Sequence, residues 1–198
     1  MEKQIKKQVL FSADIFHINT GTEEQRQQLI TDIQETKRSY PQGNDRSNPN
    51  CWRADNPCKD ISWLLEDISI MMEEVVKYYE DMDPAFIERA DLQKAKINYW
   101  ANVNGTDSYN IVHSHKLKQF SAVYYLQGEG TGQISFTNPA NLLSDCNWGS
   151  PYTRDFQIKP KDGDLIIWPA WVPHSVARNT SNRERINLVF DIDVKEDK

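Results

Sequence analysis

Four histidines occur in this chain of 198 residues, and three of them fall in its second half, two as His113-Ser114-His115. In extended backbone, residues two apart project from the same face, so His113 and His115 can address one metal ion without distorting the chain. Imidazole binds iron, copper, zinc and nickel alike, so residue type leaves the metal open. A third donor must come from elsewhere. His174, directly after Trp171-Val172-Pro173, meets that need if the fold returns a late strand beside an earlier one. His17 has no companion and is expected to be structural.

The elements that would position these side chains are readable from hydrophobic rhythm. From residue 93 onward the period is two: Ala95, Ile97, Tyr99, Ala101 and Val103 alternate with Lys96, Asn98, Trp100, Asn102 and Asn104. Further strands are expected at Phe120–Gln127, Gly132–Thr137, Phe156–Ile158, Asp164–Trp168, His174–Arg178 and Arg185–Val194, separated by turn-rich stretches such as Gly128-Glu129-Gly130-Thr131-Gly132. The first half reads differently. A strand is expected over Gln8–Ile18, then a helix opening at Thr20-Gly21-Thr22-Glu23-Glu24 with Leu29, Ile30 and Ile33 on one stripe. Residues Ser39–Pro57 are rich in Pro, Asn, Gly, Ser and Asp and read as a long loop, a candidate lid. A second helix carries Ile61, Leu64, Leu65, Ile68, Met72, Val75, Val76 and Tyr79 at helical spacing, with Met71-Met72 as core filling, and Pro84 opens another short one. Short strands after a helical layer predict a mainly β protein with α, a double-stranded β-helix or jelly roll whose amino-terminal helices pack on one sheet. One domain is expected over 1–198, with 1–92 as helical support and loop and 93–198 as the jelly-roll core.

Bulk properties exclude some functions. A net charge of -6 disfavours sequence-independent nucleic-acid binding, which needs a basic surface to displace counterions. Mean hydropathy of -0.71 is too polar for a membrane span. The amino terminus, Met1-Glu2-Lys3-Gln4-Ile5-Lys6-Lys7, has no apolar run suited to a signal peptide, so a cytoplasmic location is expected. Cys51, Cys58 and Cys146 lack the paired spacing of a zinc site and fit reduced thiols in that compartment.

Read together, several segments resemble the 2-oxoglutarate and Fe(II)-dependent oxygenases. The likeness is carried by Asn102-Val103-Asn104-Gly105, Tyr109-Asn110, His113-Ser114-His115, Ser121-Ala122-Val123-Tyr124-Tyr125-Leu126, Asp162-Gly163-Asp164-Leu165-Ile166-Ile167-Trp168-Pro169, His174-Ser175-Val176 and Arg185-Ile186-Asn187. More narrowly they look like a branch with a His-x-His motif related to prolyl hydroxylases, to which Leu10-Phe11 and Asn50-Cys51-Trp52-Arg53 also conform. The resemblance implies that His113 and His174 bind iron. It implies that a basic residue about ten positions later binds the far carboxylate of 2-oxoglutarate. Arg183 and Arg185 both lie near that place, and Arg185 is preferred because it opens an apolar strand, with Asn187 where the family's Arg-x-Ser motif has Ser. Ser121 and Tyr125 match positions that offer hydroxyls to the same carboxylate, and Asn102 joins this co-substrate set. A planar guanidinium suits the task, because it grips a carboxylate with two parallel hydrogen bonds.

The wider class places a carboxylate two residues after the first His, and here that position is His115. Three imidazoles are therefore the expected ligand set; the alternative is that His115 only hydrogen-bonds to a ligand, with water or a distant carboxylate filling its place. Losing the carboxylate removes one negative charge from the site and weakens Fe(II) binding. The implied activity is hydroxylation of a C–H bond in a small-molecule or peptidyl, including prolyl, substrate, with molecular oxygen and 2-oxoglutarate consumed. Two other readings stand beside it: a cupin-like three-His metal dioxygenase or isomerase independent of 2-oxoglutarate, and a non-enzymatic ligand-binding jelly roll. Trp168 and Trp171 flank the distal His as core or as pocket wall. Oligomeric state is not legible.

Overall fold

Alternation along the strands of the second half sorts side chains between two cores. In β10 (Arg185–Asp193), Ile186, Leu188, Phe190 and Ile192 are buried in a core shared with the helices, while Arg185, Asn187, Val189 and Asp191 face the opposite way into a cavity. The computed structural model describes residues 13–44, 50–82, 92–138 and 155–194.

Two antiparallel sheets form the jelly roll. The larger has the order β1-β8-β5-β10-β3-β2, from β1 (Phe16–Asn19), β8 (Asp164–Pro169), β5 (Phe120–Gln127), β10, β3 (Lys96–Asn104) and β2 (Cys51–Asp55). The smaller has the order β4-β9-β6-β7, from β4 (Asn110–His113), β9 (His174–Val176), β6 (Ile134–Phe136) and β7 (Phe156–Ile158). The second core, Val123, Tyr125, Ile134, Phe136, Ile166, Trp168 and Val172, lies between the sheets. Sheets that face each other across such a core leave a concave space at one end, and that space holds the histidines.

Helices α1 (Glu23–Ser39) and α2 (Ser62–Met82) cover the other face of the larger sheet. A capping box opens α1: the Thr22 hydroxyl accepts from the Gln25 backbone N–H, and the Gln25 side chain accepts from that of Thr22. Leu29 and Ile33 are fully buried, as are Leu64, Ile68 and Val75 of α2, and Met71 and Met72 fill the same core. The fold class is thus as expected from the sequence.

Two expectations about the first half change. The opening strand spans Phe16–Asn19 rather than Gln8–Ile18; residues 8–12 lie outside the described set, and 13–15 precede the strand. The stretch Ser39–Pro57 is not loop throughout: Ser39 closes α1, and Cys51–Asp55 is β2, paired antiparallel with β3. Only Trp52 and Ala54 of β2 are buried, so two apolar positions were too few to register as alternation. Residues 45–49 of that stretch, Pro84 and Cys146 lie outside the described residues.

Candidate metal centre

His113 ends β4 and His174 opens β9, and the two are directly paired across the smaller sheet. The pairing is irregular between Asn110 and His113, and both residues line the cavity. His115 follows two residues on, held by its backbone N–H donating to the Ala170 carbonyl at 3.0 Å. The ring centroids of His113 and His174 are 4.3 Å apart, those of His115 and His174 5.3 Å, and those of His113 and His115 5.4 Å. One donor atom from each imidazole lies within 4.8 Å of the other two, a spacing that could hold a metal ion.

Each ring is also fixed at its other nitrogen. His113 Nδ1 faces the Ile111 carbonyl at 2.8 Å, His174 Nδ1 faces the Val172 carbonyl at 3.1 Å, and His115 Nδ1 faces Asp191 Oδ1 at 2.5 Å. Carbonyl and carboxylate oxygens only accept, so Nδ1 carries the proton in all three and Nε2 keeps its lone pair for a metal. Burial pushes the His174 imidazole down to about 3, assisted by the neighbouring His113, and burial lowers His113 as well. Neutral, orientated imidazoles are the form that binds metal.

Arg185 sits in the same cavity, fully buried, at the start of β10. Its Nη1 donates to the carbonyls of Thr131 at 2.9 Å and Ala177 at 3.3 Å, while Nε and Nη2 are buried with no partner. The turn that brings the Thr131 carbonyl there depends on Gly132, at φ 103°, where an added Cβ would stand 2.7 Å from the Ala177 carbonyl oxygen. Burial lowers the Arg185 pKa, with Tyr125 opposing the shift, but a guanidinium remains charged. A buried cation with two idle donors is costly unless an anion completes it. Tyr125, whose phenol burial raises to about 12, lies near it, and Asn102 Nδ2 donates to Asn187 Oδ1 at 3.2 Å on the same wall. A carboxylate is an anion whose two oxygens match the two idle guanidinium nitrogens.

The cavity, about 420 Å³, thus brings together His113, His115, His174, Arg185, Tyr125, Asn187 and Asn102. It does not bring Ser121 to them. Ser121 pairs across β5 and β10 with Asp191, to which its hydroxyl donates at 3.5 Å, whereas Arg185 lies six positions along β10, roughly 20 Å of strand away. Arg183 is held at the surface by Asp162 at 2.6 Å. Trp168 is both core and wall, 1% exposed and edge-on to His174 at 4.9 Å, while Trp171 is exposed. His17 contacts Asp164 at 3.2 Å, remote from the three others. Sequence reasoning missed Asp191, Arg53, Trp100 and Lys116, which also line the cavity. Parity along β10 and β3 was the signal that could have found Asp191 and Trp100, since they share faces with Arg185 and Asn102.

Comparison with known proteins places these residues in context. A family model described as "Putative 2OG-Fe(II) oxygenase" matches residues 98–191, the segment containing all seven grouped residues. No curated protein sequence matches the chain. Among solved structures, the fold is similar to a prolyl-4-hydroxylase from Pseudomonas putida, with a TM-score of 0.58 at 12% identity over 93% of this chain and 94% of that one. It is similar to the non-haem alpha-ketoglutarate-dependent carbocyclase SnoK from nogalamycin biosynthesis, with a TM-score of 0.60 at 13% identity over 90% and 79% of the chains. HygX from Streptomyces hygroscopicus, solved with nickel and 2-oxoglutarate, gives 0.51 at 11% identity over 91% and 83%.

Proposed function

We propose that this chain acts as a 2OG-Fe(II) oxygenase, the family whose model residues 98–191 match, and that with Fe(II) and 2-oxoglutarate the cavity hydroxylates a C–H bond of a small-molecule or peptidyl substrate, with His113, His115 and His174 as the metal ligands and Arg185 as the co-substrate anchor. One observation carries this reading: three imidazoles with their Nδ1 atoms already engaged share a cavity with a buried guanidinium that has two nitrogens idle. When bound, the iron would activate molecular oxygen, one oxygen atom ending in succinate as 2-oxoglutarate loses carbon dioxide and the other in the hydroxylated substrate. Arg185 uses Nε and Nη2 to hold the far carboxylate, the two-pronged contact fixing the keto end toward the histidines. Tyr125, Asn187 and Asn102 line the channel between those ends. Trp168 and Val123 close the wall and limit water.

Anaerobic titration of the metal-free protein with Fe(II) and then 2-oxoglutarate tests this. A visible metal-to-ligand charge-transfer band is expected with both present. Arg185→Met should weaken 2-oxoglutarate binding by at least about thirtyfold, the cost of removing one partner of a buried charged pair. A protein that binds no metal, or whose metal-dependent turnover ignores both 2-oxoglutarate and Arg185, would overturn the proposal.

A further inference from the structure

His115 stands where a carboxylate is usual, so what holds its ring decides whether a third imidazole reaches the metal. Its Nδ1 is tied to Asp191, but a single in-plane contact leaves a broad torsion in which the ring can rock. Two flat neighbours oppose that rocking. The Trp100 indole stacks on His115 with centroids 5.8 Å apart and planes 22° from parallel, and the His113 imidazole lies at 5.4 Å and 26°. Trp100 is itself gripped: the Arg53 guanidinium carbon lies 4.0 Å over its ring, and Arg53 Nη2 donates to Asp55 at 3.4 Å. Strand register explains the order of this stack. On β3, Trp100 pairs with Asp55 of β2 on one side and with Val189 of β10 on the other. Arg53 arrives from the β2 side, whereas His115 is tied to Asp191 on the β10 side. The indole is therefore taken up on both flanks by side chains of the protein, which suits a clamp and not a platform for a ligand. Arg53, Trp100, His115 and His113 form one column running from the edge strand of the larger sheet to the histidine cluster.

We propose that Trp100 is a positioning residue of the metal centre: clamped by Arg53, its indole holds the plane of His115 so that Nε2 meets the same ion as His113 and His174. This rests on the three-imidazole reading of the cavity and adds what makes the third imidazole serviceable. A side chain that must be ordered when the metal binds loses rotamer freedom at that step, and ordering it beforehand removes the loss. Asp191 fixes which nitrogen is offered, and the stack fixes where that nitrogen points.

The test is an anaerobic Fe(II) titration of the full-length protein against a competing chelator, run as a double-mutant cycle between Trp100 and His115. Trp100→Leu should lower Fe(II) affinity by about tenfold, the loss typical when a ligand's supporting partner is removed, and Trp100→Phe, which keeps a flat ring, should recover most of it. In a His115→Ala background Trp100→Leu should change nothing further, because the ring it holds is gone. Equal losses in both backgrounds would mean that Trp100 only supports the cavity, and undiminished affinity in Trp100→Leu would mean that the stack is idle; either result overturns the inference. Proton NMR of the metal-free protein checks the clamp even if Trp100→Leu does not fold. The His115 ring protons, assigned by their loss in His115→Ala, should be displaced upfield by the indole, and Trp100→Phe should shrink that displacement; undisplaced resonances overturn the clamp. If His115→Ala alone leaves Fe(II) affinity unchanged, the three-imidazole reading itself fails and this inference falls with it.

Discussion

At the scale of single residues, the contact between His115 and Asp191 bears on how the proposed set of three imidazoles would serve where the wider class has a carboxylate. Direct ligation by a carboxylate would place a negative charge on the metal; here the charge stands one ring away, accepting the Nδ1 proton of His115 at 2.5 Å. That arrangement fixes the ring's plane and leaves Nε2 facing the cavity cluster. Asp191→Asn should therefore lower Fe(II) affinity by about ten- to a hundredfold in a competitive chelator titration, with Asp191→Glu recovering part of it. His113 and His174 make a second prediction. Burial keeps both neutral in the folded protein, His174 down to about 3, whereas an unfolded histidine protonates near 6.5. The unfolded state then binds more protons, so the metal-free protein should lose thermal stability as pH falls from about 6.5 toward 3, and rising pH should restore it. A melting temperature flat across that range would contradict these buried, neutral rings. The His-x-His spacing and the distal His were legible because types and intervals are explicit in the chain. Asp191 was legible only through its parity with Arg185 along β10, and its pairing with His115 emerges only in the fold.

At the scale of elements, β10 works as a two-sided ruler. Its even-numbered residues tie the jelly roll to the helices, and its odd-numbered residues set the positions of Arg185, Asn187 and Asp191 along the cavity. Leu188 is fully buried on the helix side. Leu188→Ala should cost about 2–5 kcal/mol in denaturant unfolding while leaving Fe(II) affinity near the wild-type value, because the deleted atoms face away from the site. Alternation strong enough to separate the faces made β3, β5, β8 and β10 readable in advance. The same criterion failed for β2, where polar Cys51, Arg53 and Asp55 face the cavity side and only Trp52 and Ala54 pack inward. Ser121 shows the other limit: parity put it on Tyr125's face, but only the strand register reveals that it stands beside Asp191, far from Arg185.

At the scale of the whole molecule, the two cores share β5 and β8, whose opposite faces belong one to each. We propose on that ground that the described residues fold as one domain. Fluorescence and far-ultraviolet circular dichroism should then report one coincident unfolding transition; separate midpoints would divide the helical layer from the jelly roll. No described helix is long and apolar enough to cross a membrane. Sheet order distributes the functional burden unevenly. Arg185, Asn187, Asp191 and Tyr125 stand on central strands β10 and β5, while Arg53 stands on β2, which borders only β3. Both margin and centre pack on the helical layer, but a change on β2 disturbs one strand neighbour whereas a change on β5 or β10 disturbs two. Backbone amides of β2 should therefore exchange hydrogen sooner than those of β10, the rim of the cavity loosening before its floor.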